Sequence, residues 1–169
     1  MEKIFKYTCA CCGEEQEGAP SMAFKAPDSC FAIPEPERGN ETRLETDFCM
    51  VEARDYFIRC TIDIPIREHS NPFMWGVWLC VTYENFMEYH EHFNEHERPG
   101  RYAGWLGNRL AAYPDTTGLR GTAVLQPGGK RPVIELESAN HPLCIDYRDG
   151  ISWNRAVEIA QIALPRHDA

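Results

Sequence analysis

No apolar run in this 169-residue chain reaches the roughly 18 residues that cross a bilayer as a helix. The opening residues, M-E-K-I-F-K, lack the apolar stretch of a signal peptide, so the expectation is a soluble protein of the cytoplasm. Basic residues are scarce. Seventeen Lys and Arg stand against 26 Asp and Glu, a net charge of −9. Phosphate backbones are held by clustered Lys and Arg, and no basic stripe with interleaved aromatics exists, so nucleic-acid binding is not expected. Internal repeats, low-complexity tracts and long single-sign runs are missing as well. So are the G-x-S-x-G elbow, the G-x-x-x-x-G-K-[ST] phosphate loop, the G-x-G-x-x-G dinucleotide turn and the H-E-x-x-H metal helix, which removes the commonest catalytic frameworks.

What remains is an ordinary globular composition, 43% hydrophobic and 25% charged, at the size of one domain. Residues 4–8 read as a strand leading into the cysteine turn at 9–13, and residues 1–18 as a small knuckle packed on a sheet. The proline-rich stretch 19–40 reads as irregular. Tyr56, Ile58, Cys60, Ile62, Ile64 and Ile66 alternate with Phe57, Arg59, Thr61, Asp63 and Pro65, a period of two that predicts a half-buried strand. Phe48 and Met50 begin an earlier strand, with a turn at 52–55. The apolar run 73–81 predicts a central strand covered on both faces.

Thr82 is placed to cap a helix from residue 83, with Phe86, His90 and Phe93 on one face and Glu88, His92 and His96 on another. Segments 122–126 and 133–136 flank the turn Pro127-Gly128-Gly129-Lys130 and read as a hairpin. Residues 143–147 read as a short strand closed by Asp149-Gly150. Ser152 caps a last helix whose apolar side is Trp153, Ala156, Ile159, Ala160 and Ala163, stopped by Pro165. Residues 101–113 carry no decisive pattern. The sum is an α+β fold: a mainly antiparallel sheet, two or so helices and an N-terminal zinc-knuckle-like hairpin, in a single domain over 1–169.

Eight cysteines in a cytoplasmic chain point to thiols or metal ligands rather than disulfides. Cys9-Ala10-Cys11-Cys12-Gly13 holds a C-x-x-C whose two thiolates can converge on one tetrahedral ion, most simply a structural zinc. No second C-x-x-C follows, so the other ligands come from elsewhere. Cys49 is the best third candidate, because Phe48 and Met50 face the core and Cys49 points away from it. Cys11, Cys30 and His141 are candidates for the fourth. Cys60, Cys80 and Cys144 sit in apolar runs, where a free thiol behaves as a small hydrophobe. A thioredoxin-like role is disfavoured: Glu14, Glu15 and Glu17 follow the C-x-x-C, and acids raise a thiol's pKa.

The remaining constellations are thin. Glu88, His92 and His96 fall at steps of four, but in acidic surroundings that read as a solvated helix face. His141, with Trp75, Trp105 and Tyr113, outlines a possible small-molecule pocket of hydrolase type.

Several strings in order along the chain resemble one known family: C-x-x-C-G at 9–13, D-F-C at 47–49, F-I-R and I-D-I-P within 57–65, and W-G-V-W at 75–78. G-W-L-x-N at 104–108, Y-P-D-T at 113–116, R-P-V-I-E-L-E at 131–137, H-P-L at 141–143 and G-I-S at 150–152 complete the series. Together they resemble the bacterial family called domain of unknown function 2199 over nearly the full chain. The resemblance implies one full-length bacterial cytoplasmic domain and a cysteine site that joins Cys9 and Cys12 to Cys49. Members often carry a His shortly after the C-x-x-C-G. Here Gln16 and Glu17 stand in that region, leaving Cys11 or Cys30 as the fourth ligand. The expected function is a non-catalytic binding or regulatory domain with a structural zinc, its acidic surface suited to a basic protein partner such as a nuclease toxin. The alternative is an enzyme at the His141 pocket.

Overall fold

The computed structural model of the protein describes residues 1–8 and 13–164. In chain order the elements are β1 (Phe5–Thr8), β2 (Glu15–Gly18), β3 (Ser21–Ala23), α1 (Asp28–Ala32), α2 (Glu35–Glu41), β4 (Thr42–Leu44), β5 (Phe48–Val51), β6 (Asp55–Ile64) and β7 (Phe73–Val81). There follow α3 (Tyr83–Glu91), β8 (Arg101–Leu106), β9 (Arg120–Val124), a 3-10 turn at Pro127–Gly129, β10 (Val133–Leu136), α4 (Pro142–Asp149) and α5 (Trp153–Ala163).

The two long strands organise everything else. β6 and β7 pair antiparallel along nine residue pairs, from Tyr56↔Val81 to Ile64↔Phe73. The second edge of each is shared by two short strands. On β7, β3 pairs in parallel with Met74–Gly76, and β8 pairs antiparallel with Leu79 and Cys80. On β6, β5 pairs antiparallel with residues 55–58, and β10 pairs in parallel through Val133↔Thr61. With β8–β9 and β9–β10 also antiparallel, β6 to β10 close into a five-stranded barrel, with β5, β4 and β3 as extensions. The expected antiparallel α+β character therefore holds for most pairings. The sheet also closes on itself, through a parallel seam that no local pattern announces.

The alternation in β6 sorts side chains into two cores. Ile58, Cys60, Ile62 and Ile64 join Trp75, Val77 and Leu79 in the first, with α3 and α5 packed on it. Phe57 and Trp78 point the other way, into a second core with Ala26, Cys30, Ile33, Cys49 and Val51. Both faces of β7 are thus covered, as its apolar run requires.

Five α-helices occur among the described residues rather than two or so. Residues 19–40 are not irregular, because the prolines begin helices there: Pro27 and Pro34 occupy the N-caps of α1 and α2, and Pro36 lies in the first turn of α2. Residues 143–147 are helix, not strand. The His141 ring accepts the Leu143 N–H, Pro142 starts α4, and Gly150 ends it at φ 77°. A short apolar run does not separate strand from helix by period, and the flanking caps decided the outcome. The caps of α3 and α5 are Thr82 and Ser152, which accept from Asn85 and Arg155.

The β1–β2 hairpin forms a separate two-stranded sheet, Phe5 pairing with Gly18 and Thr8 with Glu15. Phe5 packs on the first core, while Lys3 reaches Glu68 at 3.3 Å and Glu2 accepts from the Ser70 N–H at 2.9 Å. Its tip, including Cys9, Cys11 and Cys12, lies outside the described residues, so a zinc knuckle is not part of the described fold.

The turn joining β5 to β6 carries Glu52 and Ala53 at φ 52° and 49°, closed by Arg54 N–H to Val51 at 3.0 Å. Left-handed backbone costs an L-residue roughly 1–2 kcal/mol, and glycine returns roughly 0.5–1 kcal/mol of that in unfolded-chain entropy. Ala53→Gly is therefore expected to stabilise by about 0.5–1 kcal/mol, read as a higher urea midpoint at unchanged slope. A lower midpoint would show that the alanine methyl contributes packing at the turn.

Candidate functional site

Strand alternation sends Phe48 into the first core and Cys49 into the second. α1 runs over the same outer face of the sheet and turns Cys30 towards it. The two sulfurs lie 3.4 Å apart, and the residues are 3% and 0% exposed. Burial pushes both thiols above their ordinary pKa. Arg38 fixes the segment from α2, donating to the carbonyls of Cys30 at 2.9 Å and Ile33 at 3.1 Å while lying over Phe31.

Two thiolates on a tetrahedral zinc stand roughly 3.8 Å apart, given Zn–S bonds near 2.3 Å. Cys30 and Cys49 are therefore spaced to share one ion with a small adjustment. Among the described residues no group of three or more His, Cys, Asp and Glu gathers for a metal. The remaining candidate ligands, Cys9, Cys11 and Cys12, lie outside the described residues. The other cysteines behave as core: Cys60 is fully buried in the barrel with its sulfur 3.6 Å from the Ile58 carbonyl, Cys144 is buried on α4, and Cys80 is half-buried on β7.

The residues of the expected enzyme pocket occupy different surroundings. His141 engages both ring nitrogens with backbone: Nδ1 accepts the Leu143 N–H at 3.1 Å, which leaves Nε2–H to donate to the Asp115 carbonyl at 3.1 Å. Tyr113 donates its hydroxyl to Asp146 at 2.8 Å, and Arg155 donates to the same oxygen at 3.0 and 2.7 Å. Burial, then the Asp146 carboxylate, pushes the Tyr113 pKa far up. These contacts tie the loop between β8 and β9 to α4 and α5. Trp75 lies inside the first core, stacked with Phe24 and Phe73. Trp105 stands on the outside of β8, 44% exposed, beneath Arg120. His141 and Tyr113 thus flank one junction, and the two tryptophans sit on opposite sides of the sheet.

The α3 series is dispersed too. Glu88 pairs with Arg98 at 2.9 Å, His92 caps the helix and meets Glu95 at 3.0 Å, and His96 lies over Gly129. Lys130 and Arg131, read from sequence as a plain hairpin tip, line a cleft with His92 and His96. The only hint was the Gly128-Gly129 pair, which takes up left-handed backbone at φ 74° and 72°.

Compared with known proteins, residues 8–151 match the profile of the family described as "Uncharacterized protein conserved in bacteria (DUF2199)". No curated protein and no solved structure matches the chain.

Proposed function

Since the chain belongs to that bacterial family, whose description assigns no activity, we propose that it is a non-catalytic binding or regulatory domain whose N-terminal cysteine turn is fastened to the barrel by one structural zinc ion. The observation that carries the proposal is the 3.4 Å approach of Cys30 and Cys49. The sequence offers a C-x-x-C in need of two more thiolates, and here two buried thiols stand at metal-sharing distance. Cys9 and Cys12 would complete the set, with Cys11 beside them as the substitute ligand. The ion supplies a crosslink between a short hairpin and the second core, and its binding energy is then folding energy. A non-catalytic role is favoured because His141 commits both nitrogens to backbone and Tyr113 its hydroxyl to Asp146. The net charge of −9 favours a basic protein partner, and the cytoplasm suits free thiols.

The test is elemental analysis of protein purified without a metal-affinity tag, repeated on Cys9→Ser, Cys30→Ser and Cys49→Ser. About one zinc per chain is expected in the wild type. Each variant is expected to lose it, together with on the order of 10 °C in Tm. Metal-free wild type, in the same fold by circular dichroism, overturns the proposal. Metal retained by Cys30→Ser moves the fourth ligand to Cys11.

A further inference from the structure

Between the C-terminal end of α3 and the turn joining β9 to β10 lies a cleft of about 360 Å³, within the size range of small-ligand sites. Its apolar floor is Tyr89, Phe93 and Leu125. Its charged walls come from three segments. The end of α3 and the chain after it bring His92, Glu95, His96 and Arg98, the β10 side brings Lys130 and Arg131, and the β4–β5 connection brings Asp47.

The hydrogen bonds of these groups leave an imbalance. Both carboxylates already have partners: Asp47 accepts from Arg131 Nε at 2.9 Å, and Glu95 from His92 Nδ1 at 3.0 Å. The donors are in surplus. Lys130 has no ion-pair partner among the described residues. Arg98 gives its Nη groups to Glu88 and Tyr102, and its buried Nε has no partner. The turn itself already takes up a carboxylate, since the Gly128 N–H donates to Glu97 at 3.2 Å. A Cβ at Gly129 would sit 2.6 Å from His96 Nδ1, so only glycine lets the imidazole lie against this turn.

We propose that this cleft binds a small organic anion, with a carboxylate or phosphate head among Lys130, Arg131 and His96 and an apolar body on Tyr89 and Phe93. A neutral ligand would leave Lys130 without a charged partner, and a cation would find Asp47, Glu95 and Glu97 already engaged. Neither Cys30 nor Cys49 lines the cleft, so its test reads a different set of residues from the test of the zinc.

Titration of the ¹⁵N-labelled full chain at low salt tests it, with phenyl phosphate and benzoate as probes and benzyl alcohol as the uncharged control. The expected result is saturable shifts confined to Asp47 and residues 89–98 and 125–131, weakening as salt screens the charge. Affinity should fall about tenfold in Lys130→Glu, a side chain exposed and unpaired, with an unchanged spectrum elsewhere. Response to phosphate but not benzoate fixes the head group and supports the site. Equal binding of benzyl alcohol, undiminished binding in Lys130→Glu, shifts elsewhere, or none from either anion at about 10 mM overturns it.

Discussion

Asn108→Ala is expected to lower stability by about 4 kcal/mol. The reason lies on the outer edge of β7. β3 covers that edge as far as Gly76, whose carbonyl takes the Phe24 N–H, and β8 begins at Leu79. In the gap, the Gly107 N–H donates to the Trp78 carbonyl, and the fully buried Asn108 supplies the partner for the Trp78 N–H at 2.8 Å through Oδ1. Its Nδ2 donates to the Ala26 carbonyl at 2.9 Å and to Asp28 at 3.1 Å. Its own carbonyl accepts from Thr116, whose hydroxyl oxygen accepts the Leu110 N–H.

Alanine would orphan a buried donor and a buried acceptor at once, and each such orphan costs roughly 1–3 kcal/mol. Urea unfolding measures the loss directly. A change below about 1 kcal/mol would mean that water enters the gap and takes over the amide's bonds.

The second large effect is expected from a single added methyl. In Gly104→Ala the new Cβ would stand 2.1 Å from the Cys80 carbonyl oxygen and 3.0 Å from Leu79 Cγ. That oxygen is backbone in the middle of a sheet and cannot rotate aside. β8 would have to withdraw from β7, to which it is paired only through Leu79↔Leu106 and Cys80↔Trp105. Its cross-strand neighbour Gly121 is also confined, though less tightly, by Ile134 Cγ2 at 2.7 Å and the Glu135 carbonyl at 3.2 Å. The glycine pair is where β8 and β9 pass close to both neighbours as the barrel closes. Overpacking of a rigid site costs roughly 1–3 kcal/mol, and contact with backbone belongs at the top of that range. Gly104→Ala is therefore expected to lose about 3 kcal/mol, seen as a fall in Tm and in soluble yield. An unchanged Tm would show that the two strands separate freely.

Both residues lie in the string G-W-L-x-N, and Thr116 in Y-P-D-T, so these parts of the family resemblance are explained by construction of the barrel rather than by chemistry. The sequence made β6 and β7 plain, because their side chains alternate between two apolar interiors. It made α3 and α5 plain through their caps, and it placed Cys49 on the correct face by the same alternation. Closure of the barrel was not readable. Its last seam is parallel and rests on one residue pair, Val133↔Thr61, with the Thr61 N–H bonded to the Pro132 carbonyl, distant in sequence and without local signature. Nor was the partnership of Cys30 with Cys49, since it depends on α1 lying across the sheet in a stretch whose prolines suggested disorderly chain. Lys130 and Arg131 looked like a hairpin tip because only the fold carries α3 up against them.

The sharing of β6 and β7 between two interiors has a consequence for how the molecule melts. Phe57 and Ile58, or Val77 and Trp78, are adjacent in the chain yet serve opposite cores. Neither interior can be dismantled while its strand stays in register for the other, because loss of one residue's packing frees the backbone of the next. The two cores are therefore one cooperative unit. A perturbation at the cysteine pair is felt in the barrel, and the thermal transition of the whole chain reports on the small second core as directly as on the large first one.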